Sequence, residues 1–282
     1  MDVRSAPYVY YARGAPHDIV VSAMGTVARD PSENYILGSL PSADLDTLRP
    51  RLRHVTIERG QEVYAPGAPI RELCFPVSGL VSMVATLRSG RSIEVGRIGR
   101  EGVTGLPMYR GSRNPPYRVG GQIAGEGYLL DADDYFSLYL ECPGFRSAIE
   151  RYIHVLMTTM AQTAACNGAH DVIQRLAKWL LISHDAADGP DFSLTQEYLA
   201  IMIGVQRPTV TLAAGELQRL GLLSYRRGNI RLHDRSAIAQ RACECYEAIR
   251  AEIDALRRTA VAVPGAPTPS PLAYPAQGFA AD

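Results

Sequence analysis

The stretch Gln196 to Leu220, QEYLAIMIGVQRPTVTLAAGELQRL, constrains what this chain can fold into more than any other. Its small and apolar residues fall where two short helices crossing at a tight turn need them. Ala200 sits at the closest approach, Gly204 opens the turn at a point that favours φ above zero, and Leu199, Ile203, Val205, Val210 and Ala213 supply a shared core. Pro208 belongs in the first turn of the second helix, where a missing N–H leaves no bond unmade, and Gly221 is its stop. The pattern is a helix-turn-helix.

The same spacing would also suit a helical hairpin inside an ordinary bundle. The next residues favour a nucleic-acid reader. Gly221-Leu222-Leu223 leads into SYRRGNIRLHD, two short strand-like runs with Gly228-Asn229 as turn residues, which reads as a basic wing. Arg207 is then the expected base-reading contact, with Gln206, Pro208, Thr209 and Thr211 beside it, and Arg226, Arg227 and Arg231 the phosphate contacts on double-stranded DNA. Formal net charge is zero, so attraction to DNA has to come from a local patch such as this wing.

The chain of 282 residues has room for two modest domains, and 46% hydrophobic with 21% charged residues is an ordinary globular composition. It lacks a run of about eighteen apolar residues and its start lacks an apolar signal-peptide core, which predicts a cytoplasmic protein without a membrane partner. Five scattered cysteines are expected to be reduced. Cys243-x-Cys245 cannot point both sulfurs along one helix face, and no CxxC pair or histidine cluster stands beside it, so no metal site is expected. Cys166 and His170 stand four residues apart, yet Asn167-Gly168 between them is expected to end the helix, which makes both structural. The dipeptides His170-Asp171, His184-Asp185 and His233-Asp234 do not make catalytic dyads, because neighbouring side chains project about 100° apart on a helix. Without a phosphate loop, HExxH or GxSxG, the chain does not read as an enzyme.

Taken in order, residues 1–33 look like a flexible leader. From Asn34 a short helix is expected, with Ser42 as an N-cap further on. Between Arg53 and Asp131 short alternating segments punctuated by glycine recur every eight to twelve residues, the rhythm of a β-roll, with Leu87 to Ser92 as a hairpin tip. Residues 34–142 form this sensor-like domain. Gly99 to Pro116 breaks the rhythm, and a ligand would sit there. Over residues 143–168 a helix carries Ile149, Ile153, Leu156 and Met160 at alternating four- and three-residue steps, either a dimer seam or a face lying on the chain's own β domain, with Asn167-Gly168 as hinge. Residues 169–236 hold the winged helix-turn-helix, 237–258 a final helix, and 259–282 a disordered Pro- and Ala-rich tail. The fold class is α+β.

This order of parts resembles the cyclic-AMP receptor and fumarate-nitrate regulator (Crp/Fnr) superfamily over about Asn34 to Asp234, most specifically in LTQEYLAIMIGVQRPTVTLAAGELQRLGLLSYRRGNIRL. The resemblance implies a cyclic-nucleotide-binding-like β-roll, a long dimerisation helix, a homodimer on a near-palindromic operator, and RNA polymerase as a further partner. It implies that Arg207 reads a guanine. Pro208 stands where many members have Glu, and Leu212 where a second Arg is frequent. It also implies a possible effector pocket built on Gly102, Gly105, Leu106 and Arg118, the last either the phosphate ligand or, as the residues alone favour, a surface strand residue. Thr104-Gly105-Leu106 takes the place of the Gly-Glu-apolar run of cyclic-nucleotide binders, so cyclic AMP is not the expected effector and no cofactor is named. The other reading of the chain is a sensor or scaffold whose winged helix makes protein contacts.

Overall fold

The computed structural model describes residues 28–106, 114–187 and 189–259. Residues 1–27, 107–113, 188 and 260–282 lie outside them, and with them most of the expected leader, part of the expected ligand segment and most of the expected tail.

Two short helices, α1 (Tyr35–Gly38) and α2 (Ser42–Leu48), lead into strands β1 (Arg53–Ile57), β2 (Glu62–Tyr64), β3 (Glu72–Pro76), β4 (Leu80–Thr86), β5 (Ser92–Ile98), β6 (Arg118–Ile123) and β7 (Gly125–Asp131). Antiparallel pairing sorts them into two sheets, ordered β1-β7-β3 and β2-β6-β4-β5. Alternation along each strand directs Val55, Ile57, Leu73, Phe75, Val81, Met83 and Val119 into one core between the sheets. Asn34 fastens α1 to this roll. Its carboxamide oxygen accepts from Ile36 and Leu37 N–H, and its Nδ2 donates to Pro76 O at 2.9 Å and Gly102 O at 2.8 Å. Ser42 is not an N-cap, since the cap position of α2 is Pro41 and has no side-chain bond. The expected hairpin tip joins β4 to β5, closed by Leu87 N–H donating to Arg91 O.

After the roll come α3 (Ala132–Glu141), α4 (Pro143–Ala169) and α5 (Val172–Ala186). The winged domain adds β8 (Asp191–Ser193), α6 (Gln196–Met202), α7 (Arg207–Arg219), β9 (Leu223–Arg226) and β10 (Asn229–Leu232). The chain closes with α8 (Arg235–Ala239) and α9 (Cys245–Thr259). The expected single helix over 237–258 is therefore broken, and its second half packs along α4. Asn167-Gly168 does not end α4 either. The helix runs to Ala169, and α5 starts afresh behind Asp171, whose carboxylate accepts from Gln174 N–H while the Gln174 side chain accepts from Asp171 N–H.

The heptad read on α4 faces inward. Ile149 is fully buried, Leu156 nearly so, and Ile153 and Met160 pack against the same core of the chain's own roll. Ile149 and Leu156 are thereby closed off inside the chain, while Ile153 and Met160 keep part of their surface open. The face left open lies one position on: His154, Met157, Ala161, Ala164 and Gly168 are exposed, Met157 at 67%. The spacing repeats in steps of three and four on both faces, and β-roll packing takes the one with the larger side chains.

The expected effector residues do not converge. Gly102 lies against the Tyr152 ring of α4, where a Cβ would collide with it. Gly105, at φ +81°, approaches Leu73, Ile70 and the Tyr64 hydroxyl, and Leu106 packs on the core. The register pairs Tyr64 with Val119, so Val119 faces the interior and Arg118, one residue earlier, points to the outer face towards Tyr198 of α6. Thr104 fills the interior instead. Its hydroxyl accepts from Cys74 N–H at 2.8 Å and bonds the Tyr64 hydroxyl, which also donates to Glu72 O at 2.7 Å.

The winged domain docks on the outer face of the β2-β6-β4-β5 sheet. Leu80, Val84 and Ile123 of the roll belong to the apolar cluster of Leu176, Trp179, Leu180, Met202 and Ile203. Arg91 donates to Gly204 O, and Tyr198 Oη to Gly121 O at 3.4 Å. A buried polar group lies inside this junction. Ser82 Oγ donates to Glu94 Oε2 at 2.9 Å, and the Gln122 amide, turned to satisfy all its partners, donates to Glu94 Oε2 at 3.3 Å and accepts from Trp179 Nε1 at 3.2 Å. Burial pushes the Glu94 carboxyl up to about 6, against the pull of Arg97, the Ser82 hydrogen bond and Lys178. Among the described residues no helix is long and apolar enough to cross a membrane.

Candidate nucleic-acid interface

Local chemistry builds the helix pair. Thr195 caps α6 by accepting from Tyr198 N–H at 3.2 Å. Gly204 makes the turn at φ +67°, and Val205 N–H returns to Ala200 O at 3.0 Å. Gln206 is the cap position of α7 without a side-chain cap bond, which leaves its amide exposed, and Pro208 occupies the first turn. Val210, Ala213, Ala214 and Leu217 bury one face of α7. The opposite face presents Arg207, Thr211, Leu212, Gly215 and Arg219 to solvent, with Thr209 half-buried beside them. Leu212 is 76% exposed, an apolar side chain held where a thymine methyl would be met on a groove floor.

Two side chains of α6 set the start of this face. Arg207 Nη1 lies 2.9 Å from Glu197 Oε1, and Thr211 Oγ1 donates to Gln196 Oε1 at 2.8 Å. The Arg207–Glu197 pair is exposed on both sides, so opening it to free the guanidinium for a base costs at most about 1 kcal/mol. Gln196 and Glu197 were not singled out from the sequence; the signal available was their position at the start of the first helix, one crossing away from Arg207.

The wing has three strands in the order β8-β10-β9. Its turn is one residue earlier than expected: Arg226 pairs with Asn229, leaving Arg227 at φ 51° and Gly228 at φ 86° as the two central residues. Positive φ at both is the type I′ hairpin turn that matches strand twist. Arginine at such a position costs about 1–2 kcal/mol relative to glycine, and in return the tip carries a guanidinium. Arg226 and Arg227 are both exposed. Arg231 differs from them. Its Nε donates to Asp191 Oδ1 at 2.5 Å and its Nη2 bonds Oδ2, a fork-on-carboxylate pair across β10 and β8 that holds the Asp191 carboxyl below the usual range. Arg231 is therefore engaged with Asp191 across the sheet in an exposed pair that, like Arg207–Glu197, opens at a cost of at most about 1 kcal/mol. Between helix and wing lies a cleft of about 290 Å³ lined by Gln196, Glu197, Arg207, Gln218, Tyr225 and Arg227. Tyr225 donates to Leu194 O at 2.8 Å, and burial pushes its phenol up to about 12, so it stays neutral.

Residues 174–241 match the family described as Crp-like helix-turn-helix domain. The winged domain is thus similar to Crp-like helix-turn-helix domains, and the order of roll, long helix and winged domain is the fold shared with solved regulators. FixK2 from Bradyrhizobium japonicum superposes with a TM-score of 0.58 at 16% identity, covering 68% of this chain and 98% of that one. The c-di-GMP responsive global regulator CLP of Xanthomonas campestris gives 0.55 at 19%, covering 68% and 99%. A CRP-family transcriptional regulator from Thermus thermophilus gives 0.56 at 20%, covering 66% and 95%. At these identities the likeness is one of fold. No curated protein sequence matches the chain.

Proposed function

We propose that the protein is a sequence-specific transcription regulator that binds double-stranded DNA as a homodimer, one α7 in each of two successive major grooves of a near-palindromic operator. The observation that carries this reading is the exposed Arg207 at the start of α7 facing the same cleft as Arg227 at the wing tip. A recognition helix lying in the groove brings Arg207 to guanine O6 and N7 while Arg226 and Arg227 reach the flanking phosphates. The two-fold axis would set the α7 helices roughly 34 Å apart, one turn of duplex.

For the dimer, the exposed stripe His154, Met157, Ala161, Ala164 and Gly168 of α4 is the surface that a second copy would cover, its small residues permitting close helix approach. Met157→Glu and Ala161→Glu should each yield monomers by light scattering and weaken operator binding, whereas Ile149→Glu should unfold the roll instead. Monomer formation by neither stripe variant would move the interface elsewhere. Transcription would be altered through contact with RNA polymerase bound beside the operator. Cyclic AMP is not the effector in this reading: Gly105 offers no side-chain acceptor for a ribose hydroxyl, the neighbouring Thr104 is bonded to Tyr64, and Arg118 faces away from the interior. Calorimetric titration with cyclic AMP and cyclic GMP should show no micromolar binding, and binding lost in Arg118→Ala would contradict this. Sequencing of genomic fragments retained by the protein at physiological salt tests the whole reading; a palindromic motif is expected, and a flat profile would refute it.

A further inference from the structure

Four metal-binding side chains from distant parts of the sequence meet where α4 joins the winged domain. Cys166 lies in the last turn of α4 and His170 is its C-cap, while Cys243 lies in the turn before α9 and Cys245 opens that helix. Because Cys243 sits in a turn, the two sulfurs of Cys243-x-Cys245 converge as they could not on a continuous helix. Because α4 runs through Gly168, Cys166 and His170 share a face. Local geometry thus removes each of the two sequence arguments against a site, and four ligand-type side chains stand together where none was expected.

The Sγ atoms and a ring nitrogen of this set all lie within 4.8 Å of one another. Cys166 Sγ is 3.5 Å from Cys243 Sγ, and Cys245 Sγ is 3.6 Å from His170 Nδ1. A tetrahedral ion with Zn–S near 2.3 Å and Zn–N near 2.0 Å holds its sulfurs about 3.8 Å apart and sulfur from nitrogen about 3.6 Å. Two of the six separations therefore already match such a tetrahedron, and the others lie within 4.8 Å, about 1 Å beyond its longest edge at most. The three cysteines are buried and form an apolar cluster separate from both domain cores.

The surroundings suit a charged centre. His170 Nε2 lies 3.1 Å from Glu244 Oε1, which turns Nδ1 towards the sulfurs, the carboxylate–histidine arrangement that supports metal ligands. Gln162 Nε2 donates to Cys245 Sγ at 3.1 Å. Lys178 is only 5% exposed and places Nζ 3.2 Å from Cys166 Sγ. A buried ammonium needs a counter-charge. Three thiolates around a dication carry one net negative charge, which sets the Lys178 ammonium beside a centre of opposite sign.

We propose that Cys166, His170, Cys243 and Cys245 form a closed, four-coordinate site for a zinc-class divalent ion, which ties α9 and the winged domain to the end of α4. Binding makes three metal–sulfur bonds and one metal–nitrogen bond and releases the thiol protons to water, with no electron transferred. With every position filled by protein the ion is structural, as no place remains for a reacting water.

The test is the metal content of the full chain, purified under reducing conditions without chelator, together with a Co²⁺ titration of the chain after zinc removal. The expected result is about one zinc per chain and the intense visible and near-ultraviolet bands of tetrahedral thiolate-bound cobalt. Cys166→Ser with His170→Ala should lose both, while Cys74→Ser, in the core of the roll, should keep them. Glu244→Gln should retain the stoichiometry with roughly tenfold to hundredfold weaker zinc affinity. A reduced, folded wild-type chain that holds no stoichiometric zinc and gives no cobalt bands would overturn the proposal, whether or not the ligand variants fold. So would an iron–sulfur chromophore in the isolated protein, or a Cys166–Cys243 disulfide with no metal uptake after its reduction.

Discussion

The β-roll and the winged domain place their polar groups in opposite ways. In the roll, Asn34, Thr104, Ser82, Glu94 and Gln122 are buried and bonded to one another or to backbone, and the position expected to receive a ligand is filled by Thr104 and Tyr64. In the winged domain Arg207 and Arg227 line an open cleft and Arg219 and Arg226 stand exposed nearby, with Arg207 held by one exposed ion pair. The contrast separates a domain whose described polar groups are satisfied internally from one whose cations face outward. Polar groups satisfied internally specify packing, while exposed guanidiniums on a rigid helix and a strained turn remain available to a partner.

The sharpest way to break this contrast is to put a ligand-type carboxylate back into the roll. Gly105→Glu restores the family's acidic residue, but at φ +81° with Leu73 Cγ 3.1 Å from a new Cβ it should lower stability by about 2–5 kcal/mol in denaturant unfolding. Cyclic-nucleotide binding gained without such loss would show that the interior is a pocket after all.

Next in size is the buried carboxyl between the two regions. Folded Glu94 holds its proton up to about 6, against 4.5 when unfolded, so the folded state binds more protons between those values and stability falls as pH rises through them. The loss is about 2 kcal/mol, complete above pH 6. Glu94→Gln should remove that slope and leave a protein no less stable at pH 7. Unfolding curves of wild type and variant that run parallel from pH 4 to 7 would argue that Glu94 is hydrated in solution.

Smaller effects should separate the wing arginines. Arg227→Ala is expected to weaken binding to all sequences alike and reduce the salt slope by about one. Arg231→Ala should leave that slope unchanged and cost less than about 1 kcal/mol of stability, because its exposed partner is Asp191. Equal salt slopes for the two variants would return Arg231 to the phosphate contacts.

Much of this architecture was legible in the chain. Glycine punctuation between Arg53 and Asp131 marked the roll, and Gly204, Pro208 and Gly221 marked the helix pair, because each of these residues answers a backbone requirement that few others meet. What could not be read depended on tertiary choice. Two stripes of α4 share one periodicity, and only the packing of the roll selects Ile149 and Leu156 over Met157 and Ala161. The wing turn slipped by one since Arg227 at positive φ contradicts local preference. Arg231 carried the same charge as its neighbours, and β8, which supplies its partner, is a three-residue strand with no pattern of its own. Cys166 and Cys243 are 77 residues apart, and no spacing rule brings them together.

The central claim is that α7 reads bases while the wing tip holds phosphates, and quantitative binding of Arg207→Ala to the selected operator and to its single-base variants tests it most directly. The expected loss on the operator is about 1–3 kcal/mol, with discrimination relaxed at one base pair in each half-site and kept at the others. A loss spread evenly over all sequences, indistinguishable from that of Arg227→Ala, would contradict it and take Arg207 out of the groove.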